Sequence, residues 1–179
     1  MMNIDKSINE EIKKVEEIVT LKLSKLNIKY EIIHHEAMES MGEYHLTEEK
    51  YGITIPKNLF LCNRQQTKFY LLMMPGDKVF KTKELSSQIN SARLSFGSLE
   101  KLEELLHCYH GSTSVFGLLF DKENKVQLLI DEDILSKERL GCHPCENTAT
   151  VMVKTSDVID KFLPYVNHEY IKVKLTGEE

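Results

Sequence analysis

Lys57-Asn58-Leu59-Phe60-Leu61-Cys62 is followed by Asn63-Arg64-Gln65-Gln66-Thr67 and then by Lys68-Phe69-Tyr70-Leu71-Leu72-Met73-Met74. Two apolar runs of strand length flank a polar turn, which predicts a β-hairpin. Pro75-Gly76-Asp77 ends it, since Pro and Gly punctuate regular structure.

Working outward, residues 5–26 read as a helix. Ser7 and Glu10 have the spacing of a capping box, and Ile8, Ile12, Val15, Val19, Leu23 and Leu26 recur at three- and four-residue steps along one face. Tyr30 to Ile33 is expected to be a strand, and Thr47 is expected to cap a short helix ending near Gly52. Thr82 to Ile89 and Ser98 to Leu106 read as helices, the second capped by Ser98. Val126 to Ile130 and Ala149 to Val153 read as strands, Ser156 to Leu163 as a helix stopping before Pro164, and Glu169 to Leu175 as a last strand. Helices and strands are interspersed without repeats or linkers. The expected fold is therefore α+β, one mixed and mainly antiparallel β-sheet surrounded by helices, with residues 1–179 forming a single domain.

Composition narrows the function class only a little. Hydrophobic residues make up 41% and charged residues 28%, as in ordinary soluble domains. No apolar run reaches the roughly 18 residues of a membrane span, and the first residues do not read as a secretory signal, so a cytoplasmic location is expected. The net charge of −5 at first argues against a nucleic-acid partner, and no DNA partner is expected, but the charge is unevenly spread. Residues 57–93 hold seven basic side chains against two acidic ones, a local +5, leaving −10 for the rest. Such a segment can hold a phosphate backbone; chance clustering on a solvated surface is the competing reading.

Three stretches look unlike plain scaffold. Lys57 opens an apolar strand, where a charge is costly unless it is solvated or used. Gly111-Ser112-Thr113-Ser114-Val115-Phe116-Gly117 combines two glycines with three hydroxyls, a composition suited to close backbone approach and to amide donors for an oxyanion, or to a tight turn. Gly141-Cys142-His143-Pro144-Cys145-Glu146-Asn147-Thr148 offers an imidazole, a carboxamide and a hydroxyl near a strand end; the plainer reading is a turn bonded to its own backbone. Cys142 and Cys145 also form C-x-x-C. The polar run Leu135 to Gly141 before it and the strand after it are the wrong setting for a thioredoxin-like motif, and zinc would need about four ligands. Together with Cys62 and Cys108 they are read as free thiols.

Taken in order, these stretches resemble the YbaK/ProX family of aminoacyl-tRNA deacylases. The matching pieces are Lys57-Asn58-Leu59-Phe60-Leu61, Arg93-Leu94-Ser95-Phe96 before a leucine-rich helix, Gly111-Ser112 through Phe116-Gly117-Leu118, and Gly141-x-His143-Pro144-x-x-Asn147-Thr148. The resemblance covers roughly residues 25–175. It departs at His110 and Val115, where members often carry proline, and the loop cysteines are not part of the pattern.

The resemblance implies hydrolysis of the ester joining a wrong amino acid to a tRNA 3′ end, with no metal and no organic cofactor. It implies Lys57, His143 and Asn147 as catalytic candidates, and Asn58, Gly111, Ser112, Gly141 and Thr148 as substrate-binding ones. Length and free-standing form are most similar to the subgroup acting on alanyl-tRNA(Pro), with the cysteinyl-tRNA(Pro) subgroup next. The expected partners are the tRNA(Pro) acceptor end and prolyl-tRNA synthetase. Two rival classes stand beside this: a non-catalytic module gripping tRNA or synthetase, and a thiol redox or zinc protein built on Cys142 and Cys145.

Overall fold

A computed structural model describes residues 2–177, with side chains described from residue 13 onward. Helix α1 (Met2–Lys25) starts five residues before Ser7, so Ser7 lies inside a helix and not at its cap; the Ser7–Glu10 contact falls outside the described side chains. No Gly or Pro interrupts this stretch, so nothing stops the helix from beginning early. Within the described part, Val19 and Leu23 are buried and Val15 and Leu26 pack beside them, as the periodicity predicts.

Strand β1 (Tyr30–His34) leads to α2 (Met41–Tyr51). The cap of α2 is Ser40, which accepts from the Glu43 amide while Glu43 reaches back to the Ser40 amide. Thr47 is therefore mid-helix, its hydroxyl donating to the Glu43 carbonyl one turn earlier. Gly52 ends α2 in the left-handed conformation, at φ 62°.

The hairpin forms as expected. Strands β2 (Lys57–Cys62) and β3 (Phe69–Met74) pair antiparallel from Lys57↔Met74 to Cys62↔Phe69. Then follow α3 (Thr82–Gln88), the two-residue β4 (Ser95–Phe96), α4 (Leu99–Leu106, capped by Ser98) and a 3-10 turn at Val115–Leu119. Strand β5 (Val126–Asp131), α5 (Glu132–Leu135), β6 (Arg139–Cys142) and β7 (Ala149–Lys154) come next. A helical rod then runs through α6 (Thr155–Asp157), a π-turn (Val158–Phe162) and α7 (Leu163–Tyr165), before β8 (Tyr170–Val173). The rod continues past Pro164 because the wider π-turn shifts the hydrogen-bond ladder and leaves Pro164 at the start of a last turn, where its missing N–H is tolerated.

There are two sheets where one was expected. The smaller has the order β1-β7-β6 and is antiparallel; the larger, β4-β2-β3-β5-β8, is antiparallel through β3 and parallel beyond. A chain segment just before β2 joins them. Thr54 bridges to β6, its amide donating to the Arg139 carbonyl at 3.0 Å and its carbonyl accepting from Gly141 at 2.9 Å. Three residues later the same chain opens β2 in the other sheet.

Strand alternation gives the larger sheet two buried faces. Phe60, Phe69, Leu71, Met73, Leu128 and Ile130 pack toward α1, α4 and the smaller sheet. Leu61, Leu72, Met74 and Leu129 pack toward Leu85 of α3. No helix among the described residues is long and apolar enough to cross a membrane.

Candidate functional site

A cleft of about 1060 Å³ opens where the mouth of β2 meets the end of β6. Of the residues singled out from sequence, Lys57, Asn58, Gly111, Gly141 and His143 line it. They arrive from three chain segments brought together by the hairpin, the turn after α4 and the loop between β6 and β7.

Lys57 and Asn58 sit on opposite faces of β2, so the cleft straddles the end of the sheet. The Lys57 ammonium donates to the Lys78 carbonyl at 2.5 Å. Burial lowers its pKa from the ordinary lysine value, and Asp77 nearby opposes that. Lys78 is itself tethered: its ammonium lies 3.2 Å from Asp131, 2.8 Å from Asp133 and 2.7 Å from the Leu175 carbonyl. Asn58 donates its amide to the Pro56 carbonyl at 3.2 Å, which fixes the orientation of the group. Its Oδ1 is buried without a hydrogen-bond partner among the described residues, an acceptor left unsatisfied beside the cleft.

His143 is 8% exposed, and its Nδ1 lies 2.9 Å from the Ala149 carbonyl. A carbonyl only accepts, so Nδ1 carries the proton and Nε2 is left with its lone pair. Burial, helped by the neighbouring His35 ring at 6.4 Å, holds the imidazole pKa below its usual value. The group is therefore neutral at pH 7 and acts as an acceptor.

Gly111 adopts φ +86°, a conformation that glycine takes without strain. A Cβ there would lie 3.5 Å from the Asn147 amide nitrogen, so the two loops run close together. The Gly111 and Thr113 amides have no hydrogen-bond partner among the described residues, whereas the Ser112 amide donates to Tyr109 at 3.0 Å. Ser112 is wholly buried, and its hydroxyl bonds the Tyr109 backbone. The oxyanion donors that this turn can offer are thus Gly111 and Thr113 rather than Gly111 and Ser112.

Asn147 and Thr148 lie behind the cleft. The Tyr109 hydroxyl donates to Asn147 Oδ1 and accepts from the Asn147 amide, both at 3.0 Å. Thr148 bonds Glu146 through its amide and its hydroxyl. Gly141 is demanded by packing: a Cβ would stand 2.7 Å from Ile53 Cδ1 and 3.0 Å from Thr150 Cγ2.

Tyr109, Lys78 and Glu146 were not picked out from sequence. Tyr109 adjoins Gly111 in the chain, which is a usable signal. Lys78 and Asp131 are 53 positions apart and carry none.

The C-x-x-C pair reads differently in place. A strand, β6, does precede it, correcting the expectation of a polar stretch; alternation was hidden because Arg139-Leu140-Gly141-Cys142 is only four residues long. Strand β7 follows, not a helix. All four cysteines are free and buried. Burial pushes the Cys142 thiol up to about 12, and a hydrogen bond to Cys108 together with burial raises that of Cys145. Cys145 thus neighbours Cys108. No cluster of three or more His, Cys, Asp or Glu side chains fit to hold a metal occurs among the described residues.

Residues 36–161 match the aminoacyl-tRNA editing domain. The chain is 31% identical over 140 residues to the prolyl-tRNA editing protein ProX of Acetoanaerobium sticklandii, covering 78% of this chain and 85% of that protein. Two solved structures share the fold. One is described as a candidate trans-editing enzyme for prolyl tRNA synthetase, at TM-score 0.63 and 13% identity, covering 89% of this chain and 96% of its own. The other is from work on computational grafting of epitopes onto scaffold proteins, at TM-score 0.67 and 13% identity, again covering 89% and 96%. With the ordered motifs and the cleft they build, these matches show that the chain belongs to the aminoacyl-tRNA editing family, the YbaK/ProX deacylases.

Proposed function

We propose that this protein hydrolyses mischarged aminoacyl-tRNA(Pro), and that alanyl-tRNA(Pro) is its substrate. The observation that carries the reading is the convergence of Lys57, Asn58, Gly111 and His143 on one cleft from distant parts of the chain.

An aminoacyl ester is already activated, so the enzyme has to position water and stabilise the oxyanion rather than supply a strong nucleophile. Lys57, held by the Lys78 carbonyl, contacts the terminal nucleotide and fixes the ester. The free amides of Gly111 and Thr113 face the carbonyl oxygen as it gains charge. Asn58 Oδ1 accepts a hydrogen bond from the substrate's α-ammonium group. His143 Nε2 holds the attacking water and takes its proton as the water oxygen bonds the carbonyl carbon; the imidazolium then gives that proton to the ribose oxygen as the ester C–O bond of the tetrahedral intermediate breaks. Asn147 acts at one remove, keeping the Gly111 turn in place through its bonds to Tyr109. Alanine is selected over proline by exclusion of the larger ring, since affinity alone separates one methylene by only about 1–3 kcal/mol.

The test is a deacylation panel with alanyl-, cysteinyl-, seryl- and prolyl-tRNA(Pro), read as release of free amino acid. Alanine is released and proline is retained. Intact alanyl-tRNA(Pro) refutes the substrate assignment, and RNA binding without release of any amino acid refutes the enzyme. Lys57→Ala lowers the rate about 100-fold or more, the scale of losing one positioned donor; full activity in that variant removes Lys57 from the mechanism.

A further inference from the structure

One large aromatic ring stands open at the cleft. Phe96 lines it and is 66% exposed, and Leu99 beside it is 59% exposed. A single exposed apolar residue needs no explanation. Three features set this one apart.

It is held rigidly. Phe96 pairs with Leu61 across β4 and β2, and the next amide, Gly97, donates to the Phe60 carbonyl at 2.9 Å. A Cβ on Gly97 would stand 2.5 Å from the Phe60 ring, so the backbone there lies hard against the sheet. Phe80 braces the Phe96 ring edge-on at 6.2 Å, with the planes 64° apart. Two elements thus pre-position a ring whose larger part meets solvent.

Cations flank it in the chain. Lys81, Lys83 and Arg93 flank Phe80 and Phe96 in the chain, and none of them forms an ion pair among the described residues. They are three of the seven basic residues behind the local excess of residues 57–93.

It lies at a useful distance. Leu61, the partner of Phe96, is four residues along β2 from Lys57, roughly 13 Å at strand rise. A short single-stranded RNA end whose last ribose reaches Lys57 can cover that span.

Resting on the aminoacyl-tRNA reading above, we propose that Phe96 is a stacking platform for an unpaired base of the substrate's 3′ end, with Lys81, Lys83 and Arg93 taking the adjoining phosphates. A rigid exposed ring offers a π-face to any base, and cations beside it follow the backbone, the usual way of gripping single-stranded nucleic acid. Phe96 is a binding residue, and its effect falls on KM.

The experiment uses the full chain with a CCA-ended acceptor minihelix carrying 2-aminopurine as its last or penultimate base. Wild type quenches the fluorescence at one of the two positions on binding. Phe96→Leu abolishes the quench and raises Kd roughly 5- to 150-fold, the range given by loss of one base–aromatic stack. Phe96→Tyr restores both. In deacylation assays Phe96→Leu raises KM by the same range with kcat within about twofold. Melting temperatures match wild type, because an open side chain contributes little to folding. Equal quenching by wild type and Phe96→Leu overturns the proposal, as does an unchanged Kd. The fluorescence arm does not depend on cleavage: normal quenching with no amino acid released overturns the hydrolase reading and leaves the stacking platform supported.

Discussion

Asp131→Asn tests whether the Lys78 tether holds the site together. Asp131 is fully buried and faces the Lys78 ammonium with both oxygens at 3.2 Å, while also accepting from the Leu175 amide at 3.1 Å and the Asp133 amide at 2.8 Å. Asparagine keeps one acceptor oxygen for those amides but removes the charge. Breaking a buried pair from one side costs about 3–5 kcal/mol. Asp133 remains at 2.8 Å from the ammonium but is half exposed, so the lower end applies, about 3 kcal/mol. For a chain of this length that lowers Tm by roughly 6–12 °C. Lys78→Met alone also destabilises, leaving a buried carboxylate with two amides. The double variant loses less than the sum of the singles, by at least about 1 kcal/mol, because the second change removes a group already unpaired. Urea melts of the four proteins measure this. Additive losses, or an Asp131→Asn Tm within about 2 °C of wild type, refute the reasoning. Because the Lys78 carbonyl holds Lys57, Asp131→Asn also slows deacylation at temperatures where it is folded.

Other perturbations have equally definite outcomes. His143 is buried and neutral, with its pKa below the unfolded value, so the unfolded chain binds the proton more readily. Its contribution to stability is complete above the unfolded pKa near 6.5 and is lost as pH falls from there through the folded value; His143→Gln flattens this limb in denaturation curves from pH 7 to 5. Gly141→Ala forces a methyl against Ile53, Thr150 and Ile55, costing about 1–3 kcal/mol in a melt and slowing deacylation by displacing the loop that carries His143. The four buried thiols, with Cys142 raised to about 12, resist a disulfide reagent until urea unfolds the chain, and Cys142→Ser keeps deacylase activity; fast native labelling or lost activity contradicts this.

The parts of the fold that could be read directly were those written in consecutive residues. The hairpin at 57–74, the Ser98 cap and the apolar stripe of α1 needed only local pattern. Strands β4 and β6 escaped because two and four residues are too few to show alternation, and β4 exists only through β2, a partner far back along the chain at Leu61↔Phe96. The join between the two sheets turns on Thr54, a single bridging residue with no signature of its own. At the site, Lys57 and His143 could be read, since a charge at a strand mouth and an imidazole beside a strand end are unusual. Their supports could not: Tyr109 reaches Asn147 across 38 positions and Lys78 reaches Asp131 across 53. Ser112 shows the opposite error, a hydroxyl in the right motif that the turn uses for itself.

Strands β1 and β8 lie outside the matched segment 36–161, yet each completes a sheet border. β1 covers β7 from Tyr30↔Val153 to His34↔Ala149, and β8 covers β5 from Leu128↔Tyr170 to Asp131↔Val173. Trimmed to the matched segment, the protein would present two naked apolar ladders, Ala149–Lys154 and Val126–Asp131, as templates for neighbouring molecules. The flanking strands move the sheet borders from these apolar strands to β1 and β8, where Glu31 and Lys172 place exposed charge on the edge.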